Sequence, residues 1–327
     1  MSAARRAGGK VVLVTGASGY LGSQVIAALA ARDDVDAIAL DVRPPLQRLP
    51  GVVYEEADIR SPQVDAIVAR HRPDVVVHLA SIVTPGRGST RAFEYSVDVE
   101  GSKNLLEACV HHAVRRLIVS SSGAAYGYHA DNPPWLAESD ALCGNQSFAY
   151  SWHKRLVEEM LADYRQRHPA LEQIVLRIGT ILGANVSNQI TDLFEKPRLI
   201  AIRGSDSPFV FIHDRDVVGA IVHGVDAPTT GIFNVAGDGA LSIYEIAARL
   251  GKRCVVLPAP LLRLALRLLK ALGLTQYGPE QLDFLRYRPV LANTRLKQEF
   301  GYVPRLSSAQ VLDLYVAARR DRHRGAS

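Results

Sequence analysis

Tyr150 and Lys154 are the residues of this chain whose types and spacing could move a proton. They lie in Tyr150-Ser-Trp-His-Lys154, preceded by Phe148 and Ala149 and continued by the helix-forming run Arg155-Leu-Val-Glu-Glu-Met-Leu161. Side chains four apart share a helix face, about 6 Å apart along its axis. The Lys154 ammonium is then expected to lower the Tyr150 pKa, so that the phenolate can accept a proton from a substrate hydroxyl. Tyr-x-x-x-Lys alone occurs in many chains, so its weight comes from what accompanies it. One companion is Val119-Ser-Ser-Ser-Gly-Ala-Ala-Tyr-Gly127, a strand that runs out into small hydroxyl residues. Ser122 there could hydrogen-bond the same oxygen that Tyr150 deprotonates.

The other companion is Thr15-Gly-Ala-Ser-Gly-Tyr-Leu-Gly22, which ends the apolar run from Val11 and opens an alanine-rich helical segment. A strand, a tight turn with glycines at 16, 19 and 22, and a helix start together form a cradle for a dinucleotide pyrophosphate. The backbone can approach the phosphates closely, and the helix N-terminus offers unpaired N–H groups at a positive dipole end. A second strand, Asp36-Ala-Ile-Ala-Leu-Asp41, ends in an acid about 20 residues on, where a carboxylate would bond the ribose hydroxyls of NAD. The same carboxylate repels the extra phosphate of NADP, although Arg43 close by softens that preference. Tyr150 and Lys154 would then both reach a bound nicotinamide ribose.

These residues need a scaffold. Apolar runs at 11–15, 37–40, 52–54, 75–80, 116–120 and 174–176 alternate with helical patterns at about 23–32, 61–71, 92–113 and 149–167. Unbroken Val, Ile and Leu without alternation means strands covered on both faces, hence a doubly wound α/β domain on a parallel sheet. Beyond Arg177 the pattern gives way to loops and short elements, and Gly231-Ile-Phe-Asn-Val-Ala236 looks like a strand returning to the main sheet. The division expected is a Rossmann domain over 10–177 plus about 210–237 and a smaller, interleaved α/β substrate domain over about 178–209 plus 238–318. Residues 1–9 and 319–327 read as flexible tails.

The 327 residues carry a net charge of +5, much of it in Arg319-Arg-Asp-Arg-His-Arg324, with no aromatic interleaving of the kind nucleic-acid binding needs. Three scattered cysteines, without metal-ligand spacing, fit a reducing, cytoplasmic setting. Pro258 to Leu274 places Arg263, Arg267 and Lys270 at helical spacing among leucines. It is too short and charged to span a bilayer. It could lie on a membrane surface, but a lid or packing helix of the substrate domain is the preferred reading.

Taken together, the chain resembles extended short-chain dehydrogenase/reductases of the NAD-dependent epimerase/dehydratase group. Besides the motifs above, Ala57-Asp-Ile59, Val76-Val-His-Leu-Ala80, Leu176-Arg-Ile-Gly-Thr-Ile-Leu-Gly183, Phe211-Ile-His-Asp-Arg-Asp216 and Phe233-Asn-Val-Ala-Gly237 carry the likeness, which runs from Lys10 to about Ala317. The resemblance implies that Gly16, Gly19, Tyr20, Leu21 and Gly22 cradle the pyrophosphate. Asp41 would hold the adenosine ribose, Asp58 and Ile59 flank the adenine, and Leu79, Ala80 and Ser81 line the path to the nicotinamide ribose. Ser122 would orient the substrate, Tyr150 act as base, Lys154 hold the ribose and Tyr126 line the sugar site. It also implies that no metal is needed, and that the helices at about 92–113 and 149–167 pair with a second copy in a homodimer.

Departures from the family pattern bear on the substrate. Gly123 and Ala124 stand where 4,6-dehydratases carry an Asp-Glu pair, which argues against dehydration. Thr180 replaces the Asn that touches the sugar nucleotide in UDP-galactose 4-epimerases, and Phe209 replaces a phosphate-gripping Arg. Arg203, Arg286 and Arg288 are the candidates to take over that grip, Arg203 foremost. Asp98 stands where the family has Asn. The reading that results is 4-epimerisation of a nucleotide sugar by transient hydride transfer to NAD. The alternatives are an NAD-dependent secondary-alcohol dehydrogenase resembling 3β-hydroxysteroid dehydrogenases and a non-catalytic nucleotide-binding subunit.

Overall fold

The computed structural model describes residues 9–86, 88–272, 278 and 281–325. The first half runs β1 (Lys10–Thr15), α1 (Tyr20–Ala30), β2 (Val35–Asp41), β3 (Val53–Glu56), α2 (Gln63–His71), β4 (Val75–His78), α3 (Arg91–Tyr95), a π turn (Ser96–Glu100), α4 (Gly101–His111), β5 (Arg116–Ser122), a 3₁₀ turn (Gly123–Tyr126), α5 (Ala149–Arg167) and β6 (Glu172–Ile178). Then come β7 (Thr180–Leu182), α6 (Gln189–Glu195), β8 (Arg198–Ile202), β9 (Phe211–His213), α7 (Asp214–Asp226), β10 (Gly231–Val235), α8 (Ile243–Arg249), β11 (Arg253–Leu257), α9 (Ala259–Ala271), α10 (Gln281–Arg286), α11 (Thr294–Gln298) and α12 (Ser308–Gly325).

Seven strands form one parallel sheet in the order β3-β2-β1-β4-β5-β6-β10. Both faces are covered. Val12, Val14, Val75 and Val77 pack with Val25 and Leu29 of α1 and Ile221 of α7. Leu13, Val76 and Leu117 point the other way, onto Ile67 of α2, Leu105 of α4 and Leu161 of α5. This double cover is why the strands lack polar alternation. Strand order reverses between β1 and β4, so their carboxyl ends border a crevice, where ligands bind in open α/β sheets.

The returning strand is β10, whose Gly231–Val235 pairs with Ile174–Ile178 of β6. Three expectations need correction. The segment 210–237 does not go whole to the main sheet, because β9 pairs with β7 in a separate two-stranded sheet. Phe211 draws it there, packed in a second core with Phe194, Phe209, Ile246, Leu312 and Tyr315. The helix expected over 92–113 is interrupted by the π turn, whose wider register turns Asp98 inward. The C-terminal tail is not free from 319 on: α12 continues to Gly325, and Arg319 donates to the Phe194 carbonyl at 3.0 Å and pairs with Glu195. Residues 1–8, within the other predicted tail, lie outside the described residues.

A buried polar knot ties the sheet to the segment beneath the crevice. Arg177 of β6 pairs with Glu158 of α5 at 2.8 Å, both almost fully enclosed. The same guanidinium donates to the Tyr126 hydroxyl at 2.8 Å and the Glu138 carbonyl at 3.0 Å. Tyr126 in turn donates to Asn234 of β10 at 2.9 Å. Removing one partner leaves a buried charge uncompensated, so Arg177→Met should lower stability by about 3–5 kcal/mol in equilibrium urea unfolding. A loss well under about 1 kcal/mol would show that Glu158 is not held as an ion there.

Candidate active site

The crevice is lined from both sides by the turn after β1, the ends of β4, β5 and β6, the start of α5, α6 and the segment after α10, and encloses about 380 Å³. Its floor is the glycine turn. Gly16 has φ +69°, and a Cβ there would lie 2.7 Å from the Ala80 nitrogen. A Cβ on Gly22 would lie 2.1 Å from the Gly16 carbonyl oxygen. Only glycine lets the turn close onto β4 and α1 start immediately. Gly19 is the N-cap of α1 and no side chain caps that end, so the first N–H groups stay open for a bound anion. Gly16, Gly19, Tyr20, Leu21 and Gly22 all line the crevice. The Tyr20 hydroxyl donates to Asp214 and so joins α1 to α7.

Asp41 ends β2 in an adjoining hollow with Ser18, Arg43, Arg48 and Glu56. Its carboxylate accepts the Ser18 and Arg43 N–H groups, each at 3.0 Å. The Arg43 guanidinium lies 3.8 Å away, so a cation does stand beside this acid. Leu79 and Ser81 line the crevice, while Ala80 packs behind Gly16. Asp58 and Ile59 do not belong to the lining. Asp58 is engaged by Arg60 at 2.9 Å, and Ile59 lies in the core beneath Gly101.

Ser122, Tyr150 and Lys154 converge on the crevice wall. Ser122 faces the Tyr150 hydroxyl closely enough to draw its pKa down, and its Oγ accepts the Ala124 N–H at 3.1 Å. Lys154 donates to the Ser120 carbonyl at 2.9 Å, with its ammonium 5.6 Å from the Tyr150 ring centre. The expected lowering of the Tyr150 pKa is not what the site shows. Burial pushes it up to about 12, Ser122 draws it back, and Asp98 adds to the rise. Burial likewise pulls Lys154 below its usual range, with Asp98 and Glu158 opposing. Desolvation outweighs the attraction because the ammonium is turned toward a backbone carbonyl.

Asp98 connects this wall to the path along β4. It is 4% exposed; Oδ1 accepts from Ser81 at 3.0 Å and from the Ile82 N–H at 2.8 Å, and Oδ2 pairs with His153 Nδ1 at 3.0 Å. Burial would raise this carboxyl, but the His153 bond and the Lys154 charge hold it below the ordinary range. His153 fills the space between Asp98 and the edge of Tyr95. The sequence showed both residues, but their partnership becomes visible only once the π turn and α5 are brought together.

On the far wall Arg288 is buried between Phe209 and Phe284, 4.0 and 4.1 Å from their ring centres. Its Nε and Nη2 have no hydrogen-bond partner among the described residues. Burial pulls its pKa down to about 10, with Tyr128 opposing. Phe209 is therefore the platform on which a different arginine rests. Thr180 also lines the crevice. Arg203 is exposed and outside the lining, because β8 carries it to the surface. Tyr126 too is outside the lining, since its hydroxyl is consumed by Ala137, Asn234 and Arg177 beneath the floor. Neither Arg203 nor Tyr126 is placed to touch a substrate. Sequence reasoning missed Tyr128, Asn188, Gln189 and Phe284 as lining residues. Tyr128 and Phe284 meet only in the fold, with ring centres 5.0 Å apart, and nothing in the sequence marked Asn188, the N-cap of α6.

Comparison with known proteins places this geometry. The model of the NAD dependent epimerase/dehydratase family matches residues 12–236. The chain belongs to this family. NAD is thus its cofactor, and the glycine cradle, the uncapped α1 and Asp41 fit that molecule. An uncharacterized protein of Mycobacterium tuberculosis is 28% identical over 316 residues, 95% of this chain and 84% of that protein. A UDP-glucose 4-epimerase of Erwinia amylovora is 31% identical over 191 residues, 55% of this chain and 56% of that protein. Among solved structures, a short-chain dehydrogenase/reductase superfamily protein from Agrobacterium tumefaciens with bound NAD has a TM-score of 0.73 at 23% identity, covering 97% of this chain and 99% of that one. The Thermotoga maritima UDP-glucose 4-epimerase with UDP-glucose has a TM-score of 0.73 at 21% identity, covering 96% and 99%. These two structural likenesses carry the fold.

Among the described residues one group, Asp65, His111 and His112, could offer three ligand atoms to a metal, and none of the three lines the crevice.

Because Asp98 raises both Tyr150 and Lys154, neutralising it should lower both. In Asp98→Asn, each limb of the pH–rate profile should move to lower pH. A profile that keeps its position would remove Asp98 from the electrostatics of this family member's site.

Proposed function

We propose that this enzyme interconverts a nucleotide sugar and its 4-epimer. The observation that carries the reading is Arg288, a buried cation in the crevice wall whose Nε and Nη2 have no hydrogen-bond partner among the described residues. Holding an arginine this way is unfavourable unless an anion arrives to meet it. A diphosphate offers the acceptors that a guanidinium fork matches.

In this reading Gly16, Gly19, Tyr20, Leu21 and Gly22 hold the pyrophosphate of NAD, Asp41 the adenosine ribose, and Leu79 and Ser81 the approach to the nicotinamide ribose. NAD, when bound, supplies the acceptor and later the donor of the hydride. The protein's own residues manage the proton and the orientation. Ser122 and Tyr150 grip one substrate hydroxyl, Tyr150 takes its proton as the carbonyl forms, and the same phenol returns it at the end of the cycle. Lys154, close enough to both Tyr150 and the ribose path, favours the phenolate once the crevice is filled and its ammonium is drawn forward. Phe148, Phe284 and Leu291 keep water from the reacting carbon. Gly123 and Ala124 supply no acid or base for dehydration.

The apolar character of that wall favours a second reading, a dehydrogenase for an apolar secondary alcohol. The readings separate on the fate of NADH. Incubated with UDP-glucose or UDP-galactose, the purified protein should yield the other epimer without net NADH, whereas stoichiometric NADH with a keto product would reject epimerisation. Tyr150→Phe should lower turnover by about 10²- to 10⁴-fold while NAD binding persists. Ser122, Tyr150 and Lys154 in one wall disfavour a non-catalytic role. A homodimer through α4 and α5 and a cytoplasmic location complete the proposal.

A further inference from the structure

The crevice leaves α9 unexplained. Its 13 residues, Ala-Pro-Leu-Leu-Arg-Leu-Ala-Leu-Arg-Leu-Leu-Lys-Ala, include no acid, and Leu272 follows. Successive residues turn by about 100°, which sorts the helix into three stripes. Leu262 and Leu266 pack against Ile202, Leu257, Leu282 and Leu285. Arg263, Arg267 and Lys270 form the second stripe. Leu261, Leu264, Leu268 and Leu272 form the third, and they are 55, 53, 56 and 70% exposed. The expected packing helix of the substrate domain is thus present, but among the described residues of α9 Leu262 alone is fully buried, and the packing leaves a whole stripe of leucines outside. The leucines face solvent because the protein contacts a different stripe.

The patch continues beyond the helix. Strands β8 and β11 pair in parallel, with Arg198 opposite Arg253, Ile200 opposite Val255 and Ile202 opposite Leu257. Alternate residues share a face. The Ile202 and Leu257 end of that face lies under α9, while Arg198, Ile200 and Arg253 are exposed.

We infer that α9, with the neighbouring face of β8 and β11, seats the protein on an anionic lipid surface. The charge pattern selects this occupant. Arg263, Arg267 and Lys270 run along α9 beside the exposed leucines, and Arg198 and Arg253 are exposed on the strand pair that α9 packs against. An amphipathic helix with leucine on one stripe and basic residues on another lies in the headgroup plane of acidic membranes. A second copy of the chain is a poor fit, because a two-fold contact through α9 would set cationic stripes against each other. A protein partner is also a poorer fit: among the described residues of α9 the exposed stripe is leucine alone, without the aromatic anchors that concentrate binding energy at protein interfaces. No helix among the described residues is long and apolar enough to cross a membrane, so the seat is peripheral.

The test is flotation of the NAD-loaded, full-length protein with vesicles of phosphatidylglycerol and phosphatidylcholine, and with phosphatidylcholine alone. The protein should float with the mixed vesicles, stay behind with the neutral ones, and be released by salt. Arg263→Gln with Arg267→Gln should weaken partitioning about thirtyfold, at the usual attraction per basic residue near an acidic leaflet. Leu264→Glu with Leu268→Glu should abolish it, with melting temperature and NAD affinity unchanged because neither side chain is buried. No flotation with acidic vesicles, or flotation untouched by both double variants, overturns the inference. Self-association in sedimentation that Leu264→Glu with Leu268→Glu dissolves would also overturn it, by assigning the face to a second copy.

Discussion

The constraint on which the site depends is the desolvation of cations at the crevice. Lys154 and Arg288 stand in opposite walls, both buried, and burial pulls both below their ordinary pKa ranges. Neither is matched by a direct carboxylate. Lys154 has a backbone carbonyl and the more distant fields of Asp98 and Glu158. Arg288 has the faces of two phenyl rings. A folded protein retains such charges only if the rest of the structure fixes them in place. Here it does so with the Arg177–Glu158–Tyr126 knot below the floor and the Asp98–His153 pair beside α5. Tyr150, held protonated by the same desolvation, fits this picture: the proton leaves only when bound ligands change the field around it.

The fold makes the arrangement possible by bringing distant segments to one edge. The parallel sheet delivers the turn after β1, the end of β4 and Ser122 at the end of β5 to the same side. The start of α5 then sets Tyr150 beside Ser122. The opposing wall comes from after β6, where β7 and α6 contribute to a second core around Phe194, Phe209 and Phe211, and Arg288 of the segment beyond α10 lies over the Phe209 ring. Phe209 therefore belongs to both: it fills that core and supports Arg288. A substitution there would disturb packing and ligand binding together.

Much of the first wall was legible in the sequence, because local chemistry writes it. Gly22 is required by the Gly16 carbonyl six residues away, Gly16 by its left-handed backbone and the approach of Ala80, and Asp41 sits at a fixed distance along the next strand. Tyr150 and Lys154 are set by one helical turn. The second wall was less legible, because its residues meet only through tertiary structure. Of Arg203, Arg286 and Arg288, the sequence reading put Arg203 first, since nothing along the chain marks which arginine turns inward. What separates them is that β8 carries Arg203 to the surface, while the turn after α10 brings Arg288 inward. Tyr126 followed a family pattern, yet its hydroxyl is taken by Arg177 and Asn234 from strands remote in sequence. The π turn at 96–100 was invisible in a continuous helical pattern, since it exists to aim one carboxylate. That α9 packs on the substrate-side elements followed from its spacing, but amphipathic spacing shows that stripes exist and not which stripe faces the protein.

The most direct test of this account is whether Arg288 awaits a diphosphate. Calorimetric titration of the NAD-loaded enzyme with UDP and uridine, and with dTDP and thymidine, isolates the phosphate contribution from that of the base. The account predicts that one diphosphate binds roughly ten- to a hundredfold more tightly than its nucleoside, and that this advantage disappears in Arg288→Met. Equal affinity of nucleosides and diphosphates for the native enzyme, or an advantage that survives in Arg288→Met, would contradict it.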